Sequence, residues 1–214
     1  MNYEILKNQH ITITHPKSGK HIKLFKIIAL TDFEVIAMDT KYYVPAGTIG
    51  GWVQSEKNLE DGSWIAHGAY VFDHAVVRGN SVVRDNSIVY DHAIIKDSLI
   101  ADKSFVCGDC EVNQTHLTGN SVVKDTAVVV SCTMKNSSVI SGTSVVTDAH
   151  LSGGSRIHNS TVDKSIFEDV SEASDHAIVS NCRFSGRTVV RRGTYTNESR
   201  KEEIELTVTT NNNN

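Results

Sequence analysis

The sequence predicts an all-β protein, a single-stranded parallel β-helix of triangular cross-section with an N-terminal β-hairpin cap. Three observations predict it. A small residue recurs every five or six residues, at Ala69, Ala75, Ser81, Ser87, Ala93, Ser98, Ser104, Cys110, Thr115, Ser121, Ala127, Cys132, Ser138, Ser144, Ala149, Ser155, Ser160 and Ser165. Two places after each comes a large apolar residue, from Val71 and Val77 through Leu117 and Met134 to Phe167. Between these pairs lie turn triplets such as "RGN", "RDN", "YDH" and "TGN".

Residues two apart on a strand share a face, so the small and the large member of each pair both point inward. The small side chain suits a tight corner and the large one fills the interior. Gly, Asn and Asp belong in the triplets because sharp corners need φ > 0. Grouping by threes gives about eight coils, starting at Ser63, Ser81, Ser98, Thr115, Cys132, Ala149, Ser165 and Cys182, spaced 18, 17, 17, 17, 17, 16 and 17 residues apart. Three short strands per coil make a prism in which each strand pairs in parallel with its copies above and below.

This unit resembles the hexapeptide-repeat family of left-handed β-helices over roughly residues 63–196. Ahead of it, "IIALTDF" (27–33) and "VPAGTIGGWVQSEKNL" (44–59) resemble the YdcK-like branch of bacterial and phage β-helix proteins. Left-handedness is what the resemblance implies. So is a homotrimer of parallel prisms, since family members commonly assemble that way. The resemblance points to fold far more than to reaction.

Residues 1–62 read as the N-terminal hairpin and cap. "HITITHPKSGKHIKLFKIIAL" (10–30) gives two strands around a "PKSGK" turn. The cap covers strand edges that would otherwise invite aggregation, with Gly50 and Gly51 bending the chain into the first coil and Trp52 as an apolar plug. Residues 197–214 read as a C-terminal cap and tail. "NESRKEEIEL" is expected as a short helix with Asn197 as N-cap, and "TVTTNNNN" as disordered.

The residue between each small and large marker points outward, and on two faces these residues are mostly apolar. The second face carries Tyr70, Ile88, Phe105, Val122 and Val139, the third Val76, Ile94, Val128 and Val145, and the first Trp64, Val82, Leu99, His116, Thr133 and His150. Contiguous apolar patches of this size mark interfaces. The expected partner is the chain itself, in a homotrimer through faces that include Val76, Ile88, Phe105, Val122 and Val139.

A net charge of −4 argues against a nucleic-acid surface built on phosphate contacts. The chain has no run apolar enough to span a membrane and "MNYEILKNQHITITHP" lacks the apolar core of a signal peptide, so a cytoplasmic location is expected. In "CGDC", Cys110 takes an inward slot, as do Cys132 and Cys182, leaving Cys107 as the one outward thiol and a structural reading for the motif. His74 and His92 occupy equivalent corners of successive coils and should stack, with Asp109 one coil on. The γ-class carbonic anhydrases, which share the fold, hold zinc with three histidines, two of them close in sequence. No pair here matches that spacing, and no metal or cofactor is expected.

The candidate ligand-binding residues are basic: His116 and His150 on the first face, Lys135 and Arg84 at its corner, with Arg78 and Lys124. They point to a carboxylate or phosphate ligand. Coils of 16–18 residues leave no room for the extruded, histidine-bearing loop of the family's acyltransferases, and no catalytic residue stands out. The expected function is therefore capture of a small anionic, nucleotide-like ligand in intersubunit grooves by a non-enzymatic trimer, as phage-carried proteins do with signalling nucleotides of host defence. A CoA-dependent acyltransferase and a purely structural protein remain the alternatives.

Overall fold

The structure, a computed structural model, describes residues 2–201 and the backbone of Glu205–Thr207. It is all-β, a parallel β-helix of about nine turns with three sheets as its faces. All the small markers and all the large ones from Val71 to Phe167 are buried inside the prism. Register follows the repeat: Ile88 pairs with Tyr70 and Phe105, Ile94 with Val76 and Glu111, Leu99 with Val82 and His116. Among the described residues no helix is long and apolar enough to cross a membrane.

The small inward residues do more than save space. After a six-residue step the hydroxyl donates to the carbonyl three residues back, as Ser81 to Arg78, Ser104 to Ala101 and Ser144 to Ser141, at 2.6–2.7 Å. After a five-residue step it donates two residues back, as Ser98 to Lys96, Thr115 to Asn113 and Ser165 to Asp163. Cys110, Cys132 and Cys182 obey the same rule with their thiols, reaching Cys107, Val130 and Ser180. Where it forms, this bond satisfies a buried hydroxyl locally and closes the corner with one interaction; the Ser87 and Ser155 hydroxyls are buried exceptions that have no partner among the described residues. The corners themselves take up φ > 0 at Asp73, Asp91, Asp102, Asn136 and their counterparts, as the turn triplets predict.

The N-terminal segment supplies five strands: β1 (Tyr3–Thr14), β2 (His21–Ala29), β3 (Phe33–Ala37), β4 (Thr40–Val44) and β5 (Ile49–Val53). β1 and β2 form the expected hairpin, and β2 pairs antiparallel with β5. β5 already lies parallel to Tyr70–Val71, and Leu59 bridges to Val77, so coiling starts ahead of Ser63. That lead-in is one source of the additional turn.

Gly50 and Gly51 have a different role from the expected bend. They lie within β5, where an added Cβ would stand 2.6 Å from the Ile65 carbonyl oxygen (Gly50), or 2.5 Å from an Ile65 methyl and 2.6 Å from the Ala69 carbonyl oxygen (Gly51). They are small because the first coil approaches them, and Ile27 and Ile65 fill the space. Trp52 accordingly faces outward over the Lys26 ammonium at 4.4 Å instead of plugging the interior.

The C-terminal helix does not form among the described residues. Asn197 is one more φ > 0 corner, Ser199–Arg200 pairs with Arg183–Phe184, and Glu205–Thr207 pairs with Val189–Arg191. Tyr195 fills the inward slot there, so the repeat outruns the local helical signal and adds to the ninth turn. The rest of the expected disordered tail, 208–214, lies outside the described residues.

Gly51→Ala should lower unfolding free energy by at least about 2 kcal/mol, because two of its close contacts are backbone atoms that cannot step aside. Gly154→Ala, whose Cβ would meet Val170 at 3.5 Å, should stay within about 1 kcal/mol of the native protein. Urea titration of both variants measures the contrast.

Candidate functional site

The outward columns decide which surfaces are free. On the second face, the residue after each inward aliphatic also points outward, adding Phe72, Tyr90 and Cys107 to Tyr70, Ile88 and Phe105. The β1–β2 hairpin folds over these six. Ile11, Ile13, Ile22 and Leu24 pack on them, and Phe72 stacks on Tyr90 with ring centroids 5.2 Å apart. Ile88 and Phe105, expected at a subunit interface, are therefore covered by the chain's own hairpin. Cys107 points away from the prism yet is only 5% exposed, and burial pushes its thiol up from the ordinary value. Cys110 is pushed up to about 12 by the same cause, which leaves "CGDC" without a ready thiolate.

The hairpin is pinned at its tip. The backbone N–H groups of Lys17 and Ser18 both donate to His15 Nδ1, each at 3.0 Å. Nδ1 must then be the bare nitrogen, and the ring proton sits on Nε2, donating to Asp73 Oδ2 at 2.9 Å. Lys17 Nζ takes the neighbouring carboxylate, Asp91. The His15, Asp73 and Asp91 ligand atoms all lie within 4.8 Å of one another, a spacing that suits a metal ion. The donor chemistry suits it poorly, because a cation would have to displace both the Nε2 proton and the Lys17 ammonium. Beside the pin, His74 and His92 stack as the repeat predicts, with centroids 4.9 Å apart, and His92 Nδ1 meets Asp109 Oδ1 at 3.0 Å. These two rings are exposed.

On the first face the β3–β4 hairpin covers the upper coils. Phe33 packs edge-on against Trp64, and Val82 and Leu99 are buried. Below it the column turns polar at His116, Thr133 and His150, paired in that order. Half-buried His116 is held below the ordinary imidazole value, first by burial and then by the Lys135 and Arg84 charges, which outweigh the opposing pull of Asp102. Arg84 lies over the Tyr42 ring at 5.8 Å and pairs with Asp85. A groove of about 630 Å³ adjoins this strip through Thr133, bounded by Ile36, Met38 and Asp39 of the hairpin tip and by Asn80, Asp97 and Gln114.

Of the six predicted ligand residues, the structure brings Arg84, His116 and Lys135 into one electrostatic cluster, with His150 two rungs from His116. It separates the other two. Arg78 stands on the third face beside Lys96, and Lys124 continues the Cys107 column on the second. Sequence reasoning missed Asn58, a fully buried amide that receives the N–H groups of Gln54 and Ser55 and donates to the carbonyls of Asp73 and Ala75. An Asn in "SEKN" looks like any turn residue. Only its position between cap and coil makes it a clamp.

Two expectations test these contacts. A histidine that protonates less readily when folded contributes stability that is intact above about pH 6.5 and lost as pH falls toward the lower folded value. Lys135→Ala should raise the His116 titration midpoint, read from its ring proton shifts by NMR, and narrow that acid-side loss. Separately, His15→Ala combined with Lys17→Ala should speed thiol labelling of Cys107 by about tenfold or more as the hairpin lifts, a response read in the native fold. An unchanged rate would mean that the tip pin does not hold the hairpin down. No protein-family model matches the chain, and no curated protein matches it.

Proposed function

We propose that the protein is a non-enzymatic binding module, a homotrimer of prisms that captures a small anionic ligand along the first face, where a neighbouring subunit closes the groove. The observation that carries this reading is the first-face strip, half-buried His116 in register with Thr133 and His150 and within the electrostatic reach of Arg84 and Lys135, directly below the β3–β4 hairpin. Lys135, with no ion pair among the described residues, and the Asp85-paired Arg84 stand at the end of an apolar wall and favour a carboxylate or phosphate. Capture is favoured over acyl transfer because among the described residues neither His116 nor His150 hydrogen-bonds a carboxylate that would orient it as a base, and the pairing register there runs on without an extruded loop. The left-handed sense, the likeness of "VPAGTIGGWVQSEKNL" to the YdcK-like branch and a role in sequestering signalling nucleotides belong to the same reading.

The trimer contact moves to the surface that the hairpins leave bare. Val76, Ile94 and Val128 on the third face are half-buried, Val145 and Ile178 are 43% and 50% exposed, and Val122 and Val139 emerge below the β1–β2 hairpin on the adjoining face. This stripe of β-branched residues runs over several coils, interrupted by Glu111 between Ile94 and Val128.

Val128→Lys combined with Val145→Lys should give folded monomers by light scattering, since neither side chain packs inside the subunit. Ile88→Lys with Phe105→Lys should instead unseat the β1–β2 hairpin. Native mass spectrometry of the unmodified protein should show three chains with a retained anion of small-molecule mass. A monomer overturns the interface, and a ligand-free trimer that binds no phosphate or carboxylate probe favours a structural protein instead.

A further inference from the structure

The cap holds a second basic cavity that is independent of the first-face strip. β1 and β2 lose register between Leu6, opposite Lys26, and His10, opposite Phe25, so Lys7, Asn8 and Gln9 have no partner on β2. A three-residue bulge of this kind re-aims side chains and interrupts pairing. Here it opens a cleft of about 560 Å³ between the hairpin and the segment after β5. The volume lies in the range of small-molecule sites.

The lining has two parts. Ile5 and Phe25 provide an apolar wall, while Lys7, Lys23 and Lys57 stand at the rim with Glu56 as the one carboxylate. Among the described residues none of the three lysines forms an ion pair, whereas Lys17 and Lys41 have carboxylate partners within the subunit. Lys23 Nζ instead lies 5.4 Å from the Phe25 ring centroid. The far wall is firm. Tyr3 Oη donates to the carbonyls of Glu56 and Leu59, at 3.1 and 2.6 Å, and Asn58 ties down Gln54 and Ser55. Three lysines against one carboxylate around a rigid, half-apolar cleft stand out in a chain of net charge −4.

We infer that this cleft binds a phosphomonoester with a planar, largely apolar body, the body against Ile5 and Phe25 and the phosphate among Lys7, Lys23 and Lys57. A compact ammonium on a flexible stem suits a phosphate as a point charge, and the bulge places Lys7 to join the other two.

The test uses the full chain and adenosine 5′-monophosphate as probe, with adenosine and inorganic phosphate as its two halves. Calorimetry should show the monophosphate binding at least about tenfold more tightly than either half. Amide shifts should move at Ile5, Lys23, Phe25 and Lys57 while those around Arg84 and His116 stay put. Lys7→Gln, Lys23→Gln and Lys57→Gln together should weaken binding about tenfold or more without moving the thermal midpoint, all three side chains being exposed. Phe25→Leu should weaken the monophosphate and leave inorganic phosphate unchanged. The inference fails if inorganic phosphate binds as well as the monophosphate, if the triple variant binds normally, or if the shifts appear only on the first face. The last outcome would support the first-face reading while removing this one.

Discussion

Each corner of the prism must turn the chain in five or six residues and still deliver a side chain inward, and that constraint governs the whole molecule. Through most of the prism Ala, Ser, Thr or Cys fills the slot, and a hydroxyl or thiol there commonly closes the corner on a carbonyl two or three residues back. Stacking follows from this local closure. With every corner alike, the next strand lands on the same face one coil on, and the parallel ladders form without long-range guidance. A larger residue in any one slot would push on the coils above and below it, because close-packed interiors transmit strain. The same rule explains why three cysteines are inert. They are there for their size and their weak S–H donor, and burial removes the thiolate that chemistry would need.

This local origin explains what was legible from sequence. The inward slots, the parallel register and the φ > 0 corners each depend on a few neighbouring residues, so the repeat reveals them. The ends are harder to read. Asn197 and the acidic-basic run after it satisfy local helix signals, but Tyr195 fills the inward slot and strand pairing to Arg183–Phe184 prevails. Gly50 and Gly51 suggest a bend in isolation, whereas contact with Ile65 and Ala69 is what requires them.

What covers the outward residues was the least legible part. The doubled aliphatics of the upper coils show that something must cover them, and the repeat alone suggests another subunit. The cover over Tyr70, Ile88 and Phe105 proves to be β1 and β2, whose apolar alternation is that of any hairpin. Phe72 and Tyr90 fall just beyond the inward aliphatic, where most coils place polar residues such as Lys124, so the repeat assigns them to the turn. The pinning pair, His15 and Lys17, lies more than fifty residues from Asp73 and Asp91 in sequence, and no spacing rule connects them. Arg84, His116 and Lys135 were legible as a group because one face and its corner carry them, whereas Arg78 and Lys124 were grouped by charge alone and sit on other faces.

The molecule is consequently asymmetric along its axis. In the upper coils the apolar outward residues of the second and first faces are covered within the chain, by the β1–β2 hairpin on the second and the β3–β4 hairpin on the first. Below them the prism is bare, and composition changes where the cover ends. On the first face, buried Leu99 gives way to His116 and Lys135. On the second, Cys107 gives way to Lys124. Charge thus collects where the hairpins stop, because a lysine or histidine beneath them would be desolvated at a cost of several kcal/mol. The third face makes no such change. It stays β-branched at Val76, Ile94, Val128 and Val145, with Glu111 as the exception, and the cap meets it at its first rung, where Leu59 bridges to Val77. Strand propensity favours such residues, and the second face also continues apolar at Val122 and Val139, whereas the first face turns polar at His116, Thr133 and His150. The apolar stretches of the second and third faces below the hairpins are thus the surface on which the proposed trimer contact rests, beside the polar strip of the first face where the proposed ligand would bind.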